Sequence, residues 1–185
     1  MPIPVNEILQ NIINDIDVSV SEQFDRNFER KAFFDRAWPQ TRHPNHRGSL
    51  LLRSGKLRKS IHSRQRQHTV SWISNLPYAS IHNEGGQIKV TAKMKRFFWA
   101  MYYKNANAVV YSVKKKAPAN TKRNRRLQAE AAKWKAMALL KVGSIIKIDQ
   151  RQFIGNHPQV NATVEKVLKN NLKDIDREIL KIIKR

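Results

Sequence analysis

The run Thr69-Val70-Ser71-Trp72-Ile73-Ser74-Asn75-Leu76-Pro77-Tyr78-Ala79-Ser80-Ile81-His82-Asn83-Glu84-Gly85-Gly86-Gln87-Ile88-Lys89-Val90-Thr91 decides the fold class. Thr69 to Ser74 alternates and is rich in β-branched and aromatic residues, which predicts a strand. The two glycines at 85 and 86 mark a turn, and Gln87 to Thr91 reads as a further strand. Just upstream, Ile61 to Arg64 is placed to pair with the first strand in a hairpin across Gln65 to His68. The middle of the chain therefore predicts short antiparallel strands.

Both flanks are helical. Val5, Leu9, Ile12, Ile13, Ile16, Val20, Phe24 and Phe28 recur at three- and four-residue steps and make one apolar stripe. Glu7, Asp15, Asp17, Glu22, Asp25 and Glu29 lie between them, so this helix is the acidic part of a basic chain. The stripe packs either on its own domain or on a neighbouring subunit. At the other end, Val164, Leu168, Leu172, Ile175, Ile179 and Ile182 share a face, with Lys166, Lys169, Lys173, Asp174 and Arg177 off it. The fold class that follows is α+β: a small antiparallel sheet flanked by long N- and C-terminal amphipathic helices.

Between these parts the signals are local. Trp38 to Gly48 reads as an irregular loop, because Pro39, Pro44 and Gly48 interrupt polar residues. A short helical turn is predicted from Ser54, leading into a strand. Ala92 to Lys104 is an aromatic and basic helix. Lys114 to Arg126 has no apolar anchor and reads as an exposed loop. Leu127 to Lys141 is an Ala-rich helix packing through Trp134 and Leu139, ended by Gly143, and Ser144 to Ile148 is a short strand.

Charge is the strongest global feature: 36 Lys and Arg against 14 Asp and Glu, a formal +22 over 185 residues. Such a chain seeks polyanions, whether nucleic acid, an acidic protein surface or a membrane face. The length suits one compact domain with protruding helical arms. With no cysteine, disulfides and thiolate metal sites are excluded. No apolar run approaches the ~20 residues of a membrane helix, and Met1 to Glu7 lacks the pattern of a secretory signal. These features predict a protein assembled in a reducing cytoplasm, with no membrane partner.

Catalytic signatures are not found. His43-Pro44-Asn45-His46 has a two-histidine spacing but no nearby carboxylate to complete a zinc site. There is neither a phosphate-cradling glycine loop nor a nucleophile elbow. No cofactor or metal is expected.

Three separated blocks carry a resemblance. They are Leu52-Arg53-Ser54-Gly55-Lys56-Leu57-Arg58-Lys59-Ser60-Ile61, then Tyr78 to Gly86 as quoted above, then Arg151-Gln152-Phe153-Ile154-Gly155 ahead of the C-terminal helix. In that order and spacing the chain resembles the phage virion-morphogenesis proteins, also called tail-completion proteins. The resemblance implies a single domain over the whole chain, with residues 92–147 as a family-variable helical insertion carrying the basic loop at about 113–126. It implies a non-catalytic virion component at the neck or upper tail, assembled in the host bacterial cytoplasm. It further implies a homo-oligomeric, hexameric ring that meets neck and tail-tube or tail-terminator proteins.

The motif residues have physical readings of their own. Gly55, Gly85 and Gly86 suit positive φ in tight turns. Ser54 is positioned to cap a helix. Tyr78 and His82, four apart, face one side in a strand and are neighbours in a helical turn; a structural histidine is favoured over a catalytic one. Phe153 enters a core or an interface. Arg151 pairs either with an acid of the next subunit or with one of its own. Leu52, Leu57 and Gly155 complete the blocks. Lys114, Lys115, Lys116, Lys122, Arg123, Arg125 and Arg126 either touch phosphates of packaged DNA or grip an acidic neighbour, the latter slightly favoured. Phe97 to Tyr103 reads as core or interface in preference to a base-stacking platform. The competing class is a basic, non-catalytic nucleic-acid-binding protein, which explains the charge but not the three blocks.

Overall fold

The computed structural model describes residues 5–41, 49–114 and 116–183. They fall into two compact units, one of residues 1–86 and 149–185, the other of residues 87–148. The first unit contains α1 (Val5–Arg30), β1 (Ala32–Phe33), β2 (Arg36–Ala37), α2 (Lys56–Lys59), β3 (Ile61–Arg66), β4 (Thr69–Ser74), α3 (Ala79–Glu84) and α6 (Pro158–Ile183). The second is built from β5 (Gly86–Lys89), α4 (Ala92–Ala106), β6 (Tyr111–Ser112), β7 (Ala117–Pro118), α5 (Lys122–Leu139) and β8 (Ile145–Ile148). The strands form four separate two-stranded ladders, β1–β2, β3–β4, β5–β8 and β6–β7. The α+β class with long terminal helices holds; the one small sheet is divided.

In the first unit the apolar stripe of α1 is the spine of the core. Val20, Phe24, Phe33 and Phe34 form one buried cluster, against which Ile16, Trp72, Val160 and Val164 pack. Phe28, Trp38, Leu57, Ala79 and Phe153 form a second. Burying each such side chain stabilises the fold by about 1.5–3 kcal/mol. α1 stops where Lys31 takes the left-handed conformation, φ 55°, the usual way a helix terminates its ladder. α6 runs antiparallel to α1: Gln23 donates to the Thr163 hydroxyl, and Asn171 donates to Asp15 at 2.9 Å. The predicted C-terminal face is only partly covered, since Leu168 and Leu172 remain exposed.

The predicted hairpin is present, with longer strands and a tighter turn. β3 and β4 pair from Ile61↔Ser74 to Arg66↔Thr69, leaving Gln67-His68 as the turn with Gln67 at φ 48°. Trp72 Nε1 donates to Ser21 Oγ at 2.8 Å, which fastens the hairpin to α1.

The second unit is a helical hairpin. Thr91 and Thr121 cap α4 and α5 by accepting from the backbone N–H groups of Met94 and Asn124 at 3.2 and 3.1 Å. Phe98 stacks on Trp134, with ring centroids 6.0 Å apart, and the small buried Ala131 and Ala138 let the helices approach. Leu139, expected to pack, is exposed. The expectation of an exposed loop over Lys114 to Arg126 is also corrected. Tyr111–Ser112 pairs with Ala117–Pro118, and α5 starts at Lys122, so Arg123, Arg125 and Arg126 are helical. Buried Asn124 stitches this turn by bonding both backbone groups of Val110 and the Ala119 carbonyl. Cationic residues lack burial signals, but Lys and Arg are good helix formers once a cap is supplied.

Candidate functional site

The three sequence blocks meet in the first unit. The second block forms α3, so Tyr78 and His82 are helical neighbours, their rings edge to face at 6.1 Å. The third block is an extended segment tied down by the second. The Asn83 side-chain oxygen accepts from the backbone N–H groups of Phe153 and Ile154 at 2.9 and 3.1 Å. The Arg151 N–H donates to the His82 carbonyl at 2.8 Å, and Gln150 donates to the Asn83 carbonyl at 3.2 Å. On the other side, buried Asn27 of α1 donates to the Phe153 carbonyl and accepts from Phe34 N–H, both at 3.1 Å. Trp38 Nε1 donates to the Gln152 carbonyl. A segment with no ladder of its own thus has its backbone groups satisfied by side chains.

The first block closes the other wall. Leu57 of α2 is buried with Phe153 and Ala79, and Leu52 packs against that cluster. Gly55, at φ 67°, is the N-cap residue of α2, with no side-chain cap bond. Ser54 stands one residue before the N-cap position, and its hydroxyl accepts from the Lys56 backbone N–H at 3.5 Å, at the outer limit of a hydrogen bond. Gly85 has φ 75°, and a Cβ there would lie 3.1 Å from the backbone nitrogen of Gln150. Glycine is required at that position both for conformation and for the close approach of the third block. Gly86 and Gly155 also have positive φ, at 155° and 139°.

Arg151 is buried and serves the chain itself. Its guanidinium donates to the carbonyls of Pro39, Gln40 and Asp149 at 3.0, 3.4 and 3.4 Å. The Asp149 carboxylate stands 3.9 Å away. Burial, and then the Arg151 charge, holds the His82 imidazole below its ordinary pKa.

Beside this junction lies a cleft of about 470 Å³. Leu50, Leu51 and Leu57 form its apolar wall. Arg53, Ser49, Tyr78, His82 and Arg151 supply its polar side, with Thr41 and Ser54 also lining it, and among the described residues no Asp or Glu lines it. His43 and His46 lie outside the described residues. Among the described residues, no group of three or more His, Cys, Asp or Glu is placed to hold a metal, and no helix is long and apolar enough to cross a membrane.

The cationic positions singled out in the sequence belong to the second unit. Lys114, Lys116, Lys122, Arg123, Arg125 and Arg126 are all exposed, and Lys115 lies outside the described residues. The aromatic stretch of α4 is mostly spent internally. Phe98 is buried on Trp134, while Trp99 stacks on Tyr103 and meets Tyr102 edge to face. Phe97 and Tyr103 are left about half exposed.

Sequence reasoning missed Asn27 and Asn83, because a polar residue at a packed junction has no periodic signature. It also missed His157, which stacks on Phe34 at 4.4 Å and contacts Asp35 through Nε2 at 2.9 Å. Gln159 N–H donates to His157 Nδ1, so the Nε2 proton faces Asp35. The hydrogen bond within Asp35 itself, and then His157, hold the Asp35 carboxyl below its ordinary pKa.

A family model described as the phage virion morphogenesis family matches residues 31–173, a span that includes all three blocks. The chain belongs to that family. No curated protein and no solved structure matches it.

Proposed function

We propose, from this family membership, that the protein is a structural, non-catalytic subunit of a homo-oligomeric ring that completes the tail and joins it to the head. On this reading it resides at the neck or upper tail of the virion, after assembly in the host bacterial cytoplasm. Its partners are further copies of itself, in a hexameric ring, and the neck and tail-tube or tail-terminator proteins.

One observation carries the reading: Asn83 and Arg151, polar residues of the second and third blocks, are spent in holding backbone around Phe153. Asn83 holds two N–H groups, Arg151 three carbonyls, and Phe153 the centre of a core cluster. Polar residues used this way make a rigid body for assembly and leave no poised nucleophile or base among them. Inactivating the gene, inducing lysis and imaging the particles by negative-stain electron microscopy tests it. Full heads beside separate or aberrant-length tails are expected. Normal joined particles with normal infectivity would overturn it.

A second reading, binding of nucleic acid, is favoured by the distribution of charge. Residues 87–148 hold 16 of the 36 Lys and Arg but one acid, Glu130. Non-specific contact between this unit and packaged DNA is compatible with the ring. It predicts DNA retention that weakens steeply as salt rises.

A further inference from the structure

We propose that the cleft beside the three-block junction is a docking pocket for an acidic segment of a different virion protein, taking a carboxylate flanked by apolar residues. This deepens the assembly reading by naming what that face of the subunit binds.

Two kinds of group converge on the cleft. Leu50, Leu51 and Leu57 offer an apolar wall, while Arg53 and Arg151 bring positive charge, with no carboxylate in the lining among the described residues. The polar side is also incomplete. Ser49 Oγ and His82 Nδ1 are both buried without a hydrogen-bond partner among the described residues, and both residues line this cleft. A buried polar group left unpaired is destabilising, so a ligand offering hydrogen-bonding oxygens is favoured there. Arg53 is exposed and free to swing onto an incoming anion.

An acidic partner of a different sequence is preferred to a second copy of this chain, which carries 36 Lys and Arg against 14 acids, several of them already paired. Asp25 and Glu29 are both held by Arg58, whose pKa their hydrogen bonds raise. Asp17 accepts from Ser63 and Gln65 at 2.8 and 2.7 Å. Asp15 accepts from Asn171, Glu22 pairs with Arg26, Asp35 with His157, and Asp174 with Arg177. A chain at +22 with most of its carboxylates engaged is complementary to an acidic partner. A duplex phosphate backbone fits less well, because it is convex and has nothing to set against three leucines.

The test uses the full 185-residue chain, isotopically labelled for NMR, at about 0.15 M salt so that diffuse attraction is screened. The probes are the blocked peptide acetyl-Leu-Glu-Asp-Leu-amide, its Gln-Asn counterpart, inorganic phosphate and a short DNA duplex. The acidic peptide is expected to shift the resonances of Ser49 to Ser54, Tyr78 and His82 saturably, and to raise the His82 titration midpoint. Arg53→Gln, at an exposed position, should weaken it about tenfold, the loss of one charge-assisted bond, and Tyr78→Phe should leave the fold intact as a second probe of the rim. Equal binding of the amide peptide, shifts produced by phosphate or duplex instead, or shifts confined to the lysines of residues 87–148 would each overturn the proposal. The titration reads binding by the isolated chain, so its failure leaves the particle phenotype of the gene inactivation unaffected, and the reverse.

Discussion

The two compact units handle charge in opposite ways. The unit of residues 1–86 and 149–185 contains 13 of the 14 acids, and most are paired with donors of their own unit. Arg58 bridges Asp25 and Glu29, and Asp17 anchors the β3–β4 hairpin through Ser63 and Gln65. In the unit of residues 87–148, 16 cations face one acid. There the hydrogen bonding that sets the fold is neutral: Thr91, Thr121 and Asn124. Charge therefore organises the first unit and is surplus to the architecture of the second. A surplus of one sign on a folded surface is a property available for a partner.

Three variants, two of them single substitutions and one a fourfold charge reversal, would break or sharpen this contrast. The largest effect is expected for Phe153→Ala, at the centre of the buried cluster with Phe28, Trp38, Leu57 and Ala79. It should lower unfolding free energy in urea by about 3–5 kcal/mol. A loss below 1 kcal/mol would mean that the three blocks do not share a core. Next is Asn83→Ala, which leaves the Phe153 and Ile154 N–H groups without their acceptor. It should cost about 2 kcal/mol, with raised amide exchange at those two residues as the local signature.

The smallest stability effect belongs to the second unit. Reversing Lys114, Lys116, Arg125 and Arg126 together to Glu should change stability by less than about 0.5 kcal/mol, since all four are exposed. The same variant should elute from heparin at lower salt. Its log–log salt slope on duplex DNA should flatten by roughly one unit per cation that met a phosphate. A protein that unfolds on this reversal would show that these cations are architectural and would remove the contrast.

The parts of the fold written in repeating patterns were legible. α1 is visible as a three- and four-residue apolar rhythm from Val5 to Phe28, and β4 as the alternation from Thr69 to Ser74. What was not legible lacks periodicity. Lys31, Phe34, Leu51 and Gln67 take positive φ without being glycine, and the β1–β2 hairpin that turns at Phe34 carries no turn signature. The basic tract was read as loop because cations give no burial signal. Thr121 followed by good helix formers was the sign that α5 begins there.

The sequence alone determined the α+β class, the long terminal helices, the β3–β4 hairpin, the three blocks and the excess of positive charge. Each of these is a local property: a period, a turn residue, a motif or a sum. Only the tertiary structure decided that Asn83 and Asn27 hold the third block from opposite sides, that Arg151 serves carbonyls of its own chain, and that a cleft without acids among the described residues lies beside the junction. Those facts depend on which distant residues are brought within hydrogen-bonding reach. That is set by how the apolar faces pack, and residue spacing along the chain does not encode it.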